Sequence, residues 1–279
     1  MVSAAFDAPG IRLDAAELLA LREGVPRRSR HRPASRRPGA LPAKAAGAGM
    51  DLREIRAFTE GDDARRIDPA ATARTGTPHI RSFHEDRDDT LLLIVDFRPP
   101  MFWGTGTALR SVRAARVLAR RGWQAAAHGA SLAAISLDAT GIMVVPLGGG
   151  VPQMSRISQM LASRHARALA AGGDVPPLAE ALIRAARLAP PGAGVLIATG
   201  LDGIAPSDEP ALARLARRRR VRLLLPLDPL ETAPPRPALP IHAGALSRIA
   251  RLRPFDTAVL TQRLRALNVS LETIGDDAG

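Results

Sequence analysis

The sequence predicts an α/β protein in which a mainly parallel β-sheet is covered by helices on both faces. From residue 79 onward, short apolar runs of strand length alternate with stretches of helical periodicity. Short loops that contain Gly and Pro connect these segments, and such an alternation favours parallel strands joined by helices. A chain of 279 residues is long enough to build a large core of this kind.

The elements follow in order along the chain. The segments 79–86 and 90–97 look like strands. Leu109, Val112 and Ala115 recur near helical spacing and predict a helix over 108–122. Downstream, the same criteria predict a two-stranded hairpin over 130–150 that turns at 138–141, helices near 151–169 and 177–189, a strand over 194–199, a helix that ends in the arginines 217–220, and a strand over 221–227.

The amino-acid composition is that of a globular protein and excludes several kinds of site. Hydrophobic residues make up 46% of the chain, as in a globular protein, and aromatic residues only 3%, so the core must be aliphatic. Cysteine is absent, which excludes disulfides, thiolate metal sites and cysteine nucleophiles and fits a reducing compartment. No run approaches the roughly 20 apolar residues of a membrane span, and the first residues lack the order of a signal peptide. We therefore expect a soluble, cytoplasmic protein.

The chain is strongly basic, with 39 Lys and Arg against 27 Asp and Glu and a net charge of +12. A basic balance can indicate a nucleic-acid partner, and the segment 27–37 carries six arginines and no acid. Nucleic-acid binding through this Arg-rich arm is the alternative function, although a GC-rich genome enriches Arg whatever the function. The arginines at 217–220 are interpreted instead as the C-terminal end of a helix that Ser207 caps.

The most specific pattern lies upstream of the predicted sheet, in residues 49–87. An Arg and an aromatic residue precede a Gly-Asp-Asp step, and an Ile-Asp pair is followed by Thr-Ala-Arg. In this order of motifs the chain resembles the bacterial family known as domain of unknown function fifty-eight, over residues 36 to about 230. The matching positions are Arg56, Phe58, Gly61, Asp62, Asp63, Arg65 or Arg66, Ile67, Asp68, Thr72, Ala73 and Arg74.

The resemblance implies a von Willebrand factor A-like α/β domain behind an N-terminal segment. We expect the boundary after residue 78, with the N-terminal segment over 1–78 and the α/β domain over 79–279. The resemblance also implies a partner, since members of this family look like companions of AAA+ ATPases of the MoxR class and are thought to act with them in assembling or activating other proteins. On this basis the chain is predicted to be a non-enzymatic interaction module without a cofactor.

One position departs from the family motif, because the Trp expected after the Ile-Asp pair is Pro69. Proline is favoured at the first helical position, so Asp68 and Pro69 predict the cap and first residue of a short helix. Asp62 and Asp63 are paired carboxylates of the kind that a hydrolase uses. Because arginines lie close in sequence, a hydrogen-bonded structural network is the preferred interpretation of this pair.

The apolar run that ends at Asp96 raises the question of a metal site. In metal-binding members of this fold, the strand continues as Asp-x-Ser-x-Ser, and three loops supply oxygen ligands to Mg²⁺. Here Arg98 and Pro100 occupy the serine positions. The second loop has prolines at 176–177 where a threonine is expected, and the third has Thr-Gly at 199–200 where Ser-Asp is expected. The site is therefore predicted to be degenerate and to bind no metal.

Two interpretations of Arg98 stay open. Its guanidinium can take the position of the cation and pair with Asp96, or it can point into solvent while Asp96 caps a loop. Asp96, Arg98, Phe102 and Trp103 together form the predicted docking surface, because an aromatic pair beside an arginine resembles the composition of interface anchors. For Trp103, packing in the core is the alternative.

Overall fold

The computed structural model describes residues 10–25, 46–59, 67–84, 89–171, 174–243 and 246–276. Contacts divide the chain into two compact units. One unit, which we call the α/β unit, comprises Met1–Arg28 and Asp89–Gly279, and the other, the small unit, comprises Ser29–Asp88.

The structure assigns ten strands and eight α-helices to the described residues. The strands are β1 (Ala46–Ala57), β2 (His79–His84), β3 (Thr90–Asp96), β4 (Ser131–Asp138), β5 (Gly141–Gly149), β6 (Gly194–Ala198), β7 (Arg220–Pro226), β8 (Leu239–Ala243), β9 (Leu246–Ala250) and β10 (Val269–Ile274). The helices are α1 (Ala15–Ala20), α2 (Pro69–Thr75), α3 (Arg110–Ala127), α4 (Gly150–Ala170), α5 (Leu178–Leu188), α6 (Glu209–Ala216), α7 (Pro229–Thr232) and α8 (Ala258–Ala266).

A six-stranded sheet forms the centre of the α/β unit. Its spatial order is β10-β7-β6-β3-β4-β5. All neighbouring strands are parallel except β5, which pairs antiparallel with β4 at one edge. Strand β3 is buried along almost its whole length, as expected for a parallel strand with both faces covered. The predicted α/β class with a mainly parallel sheet is confirmed.

Helices cover both faces of this sheet. Residues of α1, α3 and α4 form one core with Leu93 and Val95 of β3. Residues of α5, α6 and α8 form a second core with Leu92 and Ile94. Because successive side chains of a strand point to opposite faces, β3 supplies both cores.

In the small unit, β1 and β2 form an antiparallel pair, and α2 lies between them in sequence. Asp68 accepts a hydrogen bond from the Ala71 backbone N–H at 2.8 Å, and α2 begins at Pro69, as the sequence predicts. The helix ends at Thr75, and the following residue, Gly76, has a φ of 74°, the left-handed conformation that glycine favours.

The contacts place the boundary differently from the division predicted after residue 78. Strand β2 pairs with β1 rather than with the large sheet, so the α/β unit resumes only at Asp89. Residues 10–25 also belong to the α/β unit, where Leu18 is buried in the core beside α3 and α4. The indole N–H of Trp123 donates to the Leu18 carbonyl at 2.8 Å. Apolar periodicity does not reveal which sheet a strand joins, because its pairing partner is distant in sequence.

The helix before β7 differs from the prediction at both ends. Ser207 does not cap it but lies in a 3₁₀ turn, Pro206–Asp208, that precedes α6. At the other end, Arg219 donates to the carbonyls of Ala186 and Ala189, at 2.7 and 2.8 Å. These carbonyls belong to the end of α5, so Arg219 stabilises the C-terminal end of α5 rather than that of α6.

Candidate functional site

Asp96 lies at the carboxyl edge of the sheet, where ligands of parallel sheets collect. It is the last residue of β3, and the adjacent parallel strand β6 ends at Ala198, which pairs with Val95. Thr199, the next residue after β6, therefore lies beside Asp96. Both side chains are withdrawn from solvent, since Asp96 is 2% exposed and Thr199 is fully buried.

Both carboxylate oxygens of Asp96 accept hydrogen bonds. The Arg98 side chain donates from Nε to Oδ1 at 2.9 Å and from Nη2 to Oδ2 at 2.7 Å. The Arg98 backbone N–H also donates to Oδ1 at 2.9 Å, and Thr199 Oγ1 donates to Oδ2 at 2.6 Å. A carboxylate offers about four lone-pair sites, and these four bonds occupy them. Of the two interpretations of Arg98, the structure therefore has the one in which its guanidinium pairs with Asp96.

The loop after β6 holds Arg98 from the other side. Arg98 Nη2 donates to the Gly203 carbonyl at 2.5 Å. Burial lowers the pKa of Arg98, but the hydrogen bond to Asp96 and the charges of Asp96 and Asp208 more than offset this effect, so the pKa lies above its ordinary value. Arg98 is thus a permanent cation beside Asp96.

Gly203 has a steric role in this arrangement. A Cβ atom at this position would lie 1.8 Å from Thr199 Oγ1, far inside van der Waals contact. Glycine is therefore required for the loop to approach the Thr199 hydroxyl while its carbonyl accepts from Arg98. Position 203 has no local sequence signature, and the sequence patterns did not identify it.

Asp208 connects the second and third loops of the site. Its carboxylate is 1% exposed and accepts from the Ala179 N–H at 2.7 Å and the Ala205 N–H at 2.9 Å. Pro177, at the N-cap of α5, makes no side-chain cap hydrogen bond. Asp208, which is distant in sequence, therefore caps the start of that helix by accepting from the Ala179 N–H.

Asp202, the nearest acid to the position expected in the third loop, is exposed. Within the part of the chain that the structure describes, no group of three or more His, Asp or Glu side chains is placed to hold a metal ion.

The two aromatic residues of the predicted docking surface have different environments. Phe102 is partly buried and packs against the core, with its ring centroid 5.2 Å from that of His165. Trp103 is 40% exposed, and the Arg110 guanidinium lies 4.4 Å from its ring centroid. Arg110 also forms an ion pair with Glu231. Trp103 therefore presents a supported, solvent-accessible aromatic surface, whereas Phe102 contributes mainly to packing.

Two carboxylates hold the loop that follows Trp103. Asp228 is fully buried and accepts from the Thr105 backbone N–H at 2.7 Å and from the Thr105 hydroxyl. Asp276 accepts from the Thr107 N–H at 3.3 Å. Behind them, the buried Arg113 donates to the Leu227 carbonyl at 2.6 Å and lies 3.8 Å from Asp276. We call this set of contacts the loop clasp, and the sequence patterns did not identify it because its members are far apart along the chain.

A buried serine and histidine lie beneath Phe102. Ser111 Oγ is 2.9 Å from Nε2 of His165, and both residues are fully buried. Burial lowers the pKa of His165 to about 4, so the ring is neutral at pH 7. The Phe97 ring packs edge-on against the imidazole, with the ring centroids 5.2 Å apart. The Ser111–His165 pair is therefore enclosed in the core.

The residues of the family motif fall in the small unit, as far as they are described. Asp68 is the cap of α2, and Thr72 Oγ1 accepts from the His79 N–H at 3.0 Å, which ties α2 to β2. Arg56 donates to the carbonyl of Ala57 at 3.0 Å, and Arg74 is exposed. Gly61, Asp62, Asp63 and Arg65 lie outside the described residues, as does the Arg-rich arm 27–37.

A mainly parallel sheet with one antiparallel edge strand, helices on both faces and an aspartate at the carboxyl end of a central strand define a doubly wound α/β domain. A family model matches residues 54–236, and its description is "Protein of unknown function DUF58". The chain belongs to this family. Within the described residues, no helix combines the length and apolar character required to cross a bilayer.

Relatives and solved structures resemble the chain at low sequence identity. The uncharacterized proteins Rv1480 of Mycobacterium tuberculosis and Mb1516 of Mycobacterium bovis are each 27% identical over 220 residues, 79% of this chain and 68% of theirs. The conserved hypothetical protein BatB of Bacteroides thetaiotaomicron has a TM-score of 0.46 and 13% identity over 68% of this chain and 93% of that one. A von Willebrand factor type A protein of Catenulispora acidiphila has a TM-score of 0.41 and 15% identity over 69% of this chain and 39% of that one.

Proposed function

We propose that this chain is a non-enzymatic protein-interaction module in which Arg98 takes the position of a divalent cation at the carboxyl edge of the sheet. The observation that carries the proposal is the Asp96–Arg98 pair. Both carboxylate oxygens accept from the guanidinium, at 2.9 and 2.7 Å, and each accepts one further hydrogen bond. A hard cation needs carboxylate lone pairs as ligands, and those of Asp96 are occupied. The site is thus degenerate, and binding there does not depend on metal.

The chemistry of the site supports binding rather than catalysis. Asp96 is 2% exposed and accepts four hydrogen bonds from Arg98 and Thr199, so its carboxylate is not placed to reach a substrate. The serine and histidine at positions 111 and 165 are fully buried, where a substrate does not reach them. A permanent guanidinium pair and an exposed aromatic side chain are instead typical of contact surfaces.

Trp103 is the anchor that we assign to the docking surface around Asp96 and Arg98. It is 40% exposed and stacks against Arg110, which holds the indole in one orientation before a partner binds. Phe102, predicted as its companion, packs against the core and supports the surface from beneath.

We further propose an adaptor or co-chaperone role beside an AAA+ ATPase of the MoxR class. Membership of the family supports this partner, because family members look like companions of such ATPases. The complex would form in the cytoplasm, where ATP is available, and a chain without cysteine fits that reducing compartment.

A nuclease-treated affinity pull-down from native cell extract, with and without ATP, tests the proposal. We expect to recover an AAA+ ATPase of the MoxR class, in an amount that depends on nucleotide. Trp103→Ala should lower this recovery about tenfold or more, as expected for an interface anchor.

Leu147→Ala provides the matched control, since Leu147 is 41% exposed on the edge strand β5. It should leave recovery unchanged. If no ATPase is recovered and the bound material disappears with nuclease, the partner is nucleic acid and the adaptor proposal is wrong.

A further inference from the structure

The hairpin formed by β8 and β9, which we call the tail hairpin, exposes large apolar side chains. Leu246 is 72% exposed, Ile249 is 80% exposed and Ile241 is 42% exposed. Single exposed apolar residues are common, but these three occur within one two-stranded element of five residues per strand. A two-stranded hairpin is at best marginally stable in water without a surface to pack against.

The apolar side chains lie on both faces of the tail hairpin. Ala243 pairs with Leu246 and Ile241 with Arg248, so Ile241 and Leu246 share one face. Ile249 pairs with Pro240 and therefore points to the other face. A flat protein surface covers only one face of such a ribbon. A lipid interface surrounds an inserted hairpin from all sides, and this arrangement favours lipid as the occupant.

The charge around the tail hairpin has a single sign. Between Glu231 and Asp256 the sequence contains no acidic residue. It contains four arginines there, all exposed, at positions 236, 248, 251 and 253. Leu246 and Ile249 are about 10 Å apart along the strand at 3.3 Å per residue, with Arg248 between them. Apolar side chains interleaved with arginines suit the boundary between acyl chains and anionic headgroups.

The tail hairpin is attached to the α/β unit at a fixed base. The Phe255 N–H donates to the Glu231 carbonyl at 2.7 Å, which brings together the two ends of the segment that contains the hairpin. Glu231 also caps α7 by accepting from the Asp228 N–H at 2.8 Å. The apolar side chains are therefore presented from the same region that the loop clasp holds in place.

We propose that the tail hairpin binds the surface of membranes that contain anionic phospholipids, with Leu246 and Ile249 entering the interface and the surrounding arginines contacting the headgroups. This attachment is peripheral and is made by the side chains of the tail hairpin. It is separate from the docking surface around Asp96, so its test does not depend on the identity of a protein partner.

Co-sedimentation with vesicles tests the proposal. The full chain is mixed with vesicles of phosphatidylcholine and phosphatidylglycerol, or of phosphatidylcholine alone, at physiological ionic strength. We expect the wild type to bind the anionic vesicles. In the double variant Leu246→Ser, Ile249→Ser, each substitution should lower the affinity for these vesicles about tenfold. Replacing Arg248 or Arg251 by Gln should weaken binding by roughly fivefold each.

The serine substitutions separate insertion from adsorption of a chain with net charge +12, because they leave the charge unchanged. Ile183→Ser is the matched control, since Ile183 is 45% exposed on α5, and it should bind vesicles like the wild type. Circular dichroism should show that all variants are folded, because the substituted side chains are exposed.

A second measurement locates the hairpin directly. The chain has no cysteine, so Ser247→Cys gives a single site for an environment-sensitive dye between Leu246 and Arg248. Its emission should shift to the blue with anionic vesicles, whereas a dye at Gln262→Cys on α8 should not shift.

Three outcomes would overturn the proposal. The wild type could remain in the supernatant, or the double serine variant could sediment as fully as the wild type. Alternatively, light scattering could reveal self-association that the serine substitutions abolish while vesicles have no effect, which would assign the hairpin to a second copy of the chain.

Discussion

At the scale of single residues, the site depends on a nearly buried ion pair. Asp96 is 2% exposed and the Arg98 side chain 14%. Removing one partner of such a pair leaves the other charge without compensation, which costs more free energy than the intact pair contributes. The pair therefore fixes the conformation of the loop more than it adds to stability.

The first prediction concerns Arg98. Arg98→Ala should lower the free energy of unfolding by about 3 kcal/mol, because it leaves a charged Asp96 in a buried site. Arg98→Lys should lower the free energy of unfolding by less, since lysine keeps the positive charge but cannot make the bidentate contact with Asp96. Urea denaturation at pH 7 measures both, with Arg184→Ala on the exposed face of α5 as the control. Equal effects of Arg98→Ala and the control would contradict the account.

The second prediction concerns pH. His165 has a pKa of about 4 in the folded chain against about 6.5 when unfolded. Between these values the unfolded chain binds a proton that the folded chain does not, so stability falls as pH is lowered from about 6.5 to 4, by up to about 1.4 kcal/mol per pH unit.

His165→Leu removes this titration. Urea denaturation at several pH values should therefore give a shallower loss of stability for the variant than for the wild type over that interval. Identical slopes for the two proteins would show that His165 is not held neutral by burial.

At this scale, only part of the site could be predicted from the sequence. Asp96 and Arg98 are two positions apart, so their pairing is one of the two alternatives that the sequence leaves open. Thr199 and Gly203 contact the same pair across separations of 103 and 105 residues. Such contacts depend on which strands are neighbours in the sheet, and no local pattern in one sequence reveals that.

At the scale of elements, the loop clasp determines how Trp103 and the start of α3 are presented. Asp228 accepts from the Thr105 N–H of the loop and, at 3.0 Å, from the Leu230 N–H in the first turn of α7. Burial raises the pKa of Asp228, but the hydrogen bonds from Thr105 and Leu230 and the charge of Arg113 lower it by more. The pKa therefore lies below its ordinary value, and the carboxylate is ionised. One buried carboxylate thus joins two segments that are distant in sequence.

The third prediction follows from this clasp. Asp228→Asn should lower the free energy of unfolding by about 2 kcal/mol, because an amide cannot accept all the hydrogen bonds that the carboxylate accepts. It should also weaken partner recovery, since it releases the loop behind Trp103. Asp202→Asn, an exposed change in a neighbouring loop, is the control. Wild-type stability for Asp228→Asn would show that the clasp is not a structural element.

Most elements of the sheet could be predicted because each carries its own pattern. The predicted turn at 138–141 joins β4 and β5, and Gly141 has a φ of 106°, which favours glycine. The prediction that Ser207 caps α6 is wrong, since the position of a cap depends on where the preceding 3₁₀ turn begins. The edge strand β10 and helix α8 were not predicted, because that part of the chain is less clearly patterned.

At the scale of the whole molecule, two units share one chain, and their division could not be predicted from periodicity. Strand β2 looks the same in sequence whether it pairs with β1 or with the large sheet. The segment 10–25 is short, and only the structure reveals that its apolar residues complete the core beside α3 and α4.

The fourth prediction tests that role of the first segment. Leu18 is fully buried, so Leu18→Ala should lower the free energy of unfolding by about 3 kcal/mol. Leu246→Ala makes the same chemical change at a side chain that is 72% exposed, and thermal denaturation should find it close to the wild type. A negligible effect of Leu18→Ala would mean that residues 10–25 do not stabilise the α/β unit.

The most direct test of the central claim is calorimetric titration with Mg²⁺ and Mn²⁺ of the wild type and of Arg98→Ser, Pro100→Ser, which restores the two serines of the metal-binding motif. We predict no saturable binding by the wild type at physiological concentrations, because Arg98 occupies the lone pairs of Asp96. In the double variant, any gain of metal affinity should be lost on adding Asp96→Ala. Saturable binding by the wild type that disappears in Asp96→Ala would contradict the claim that a guanidinium has replaced the cation.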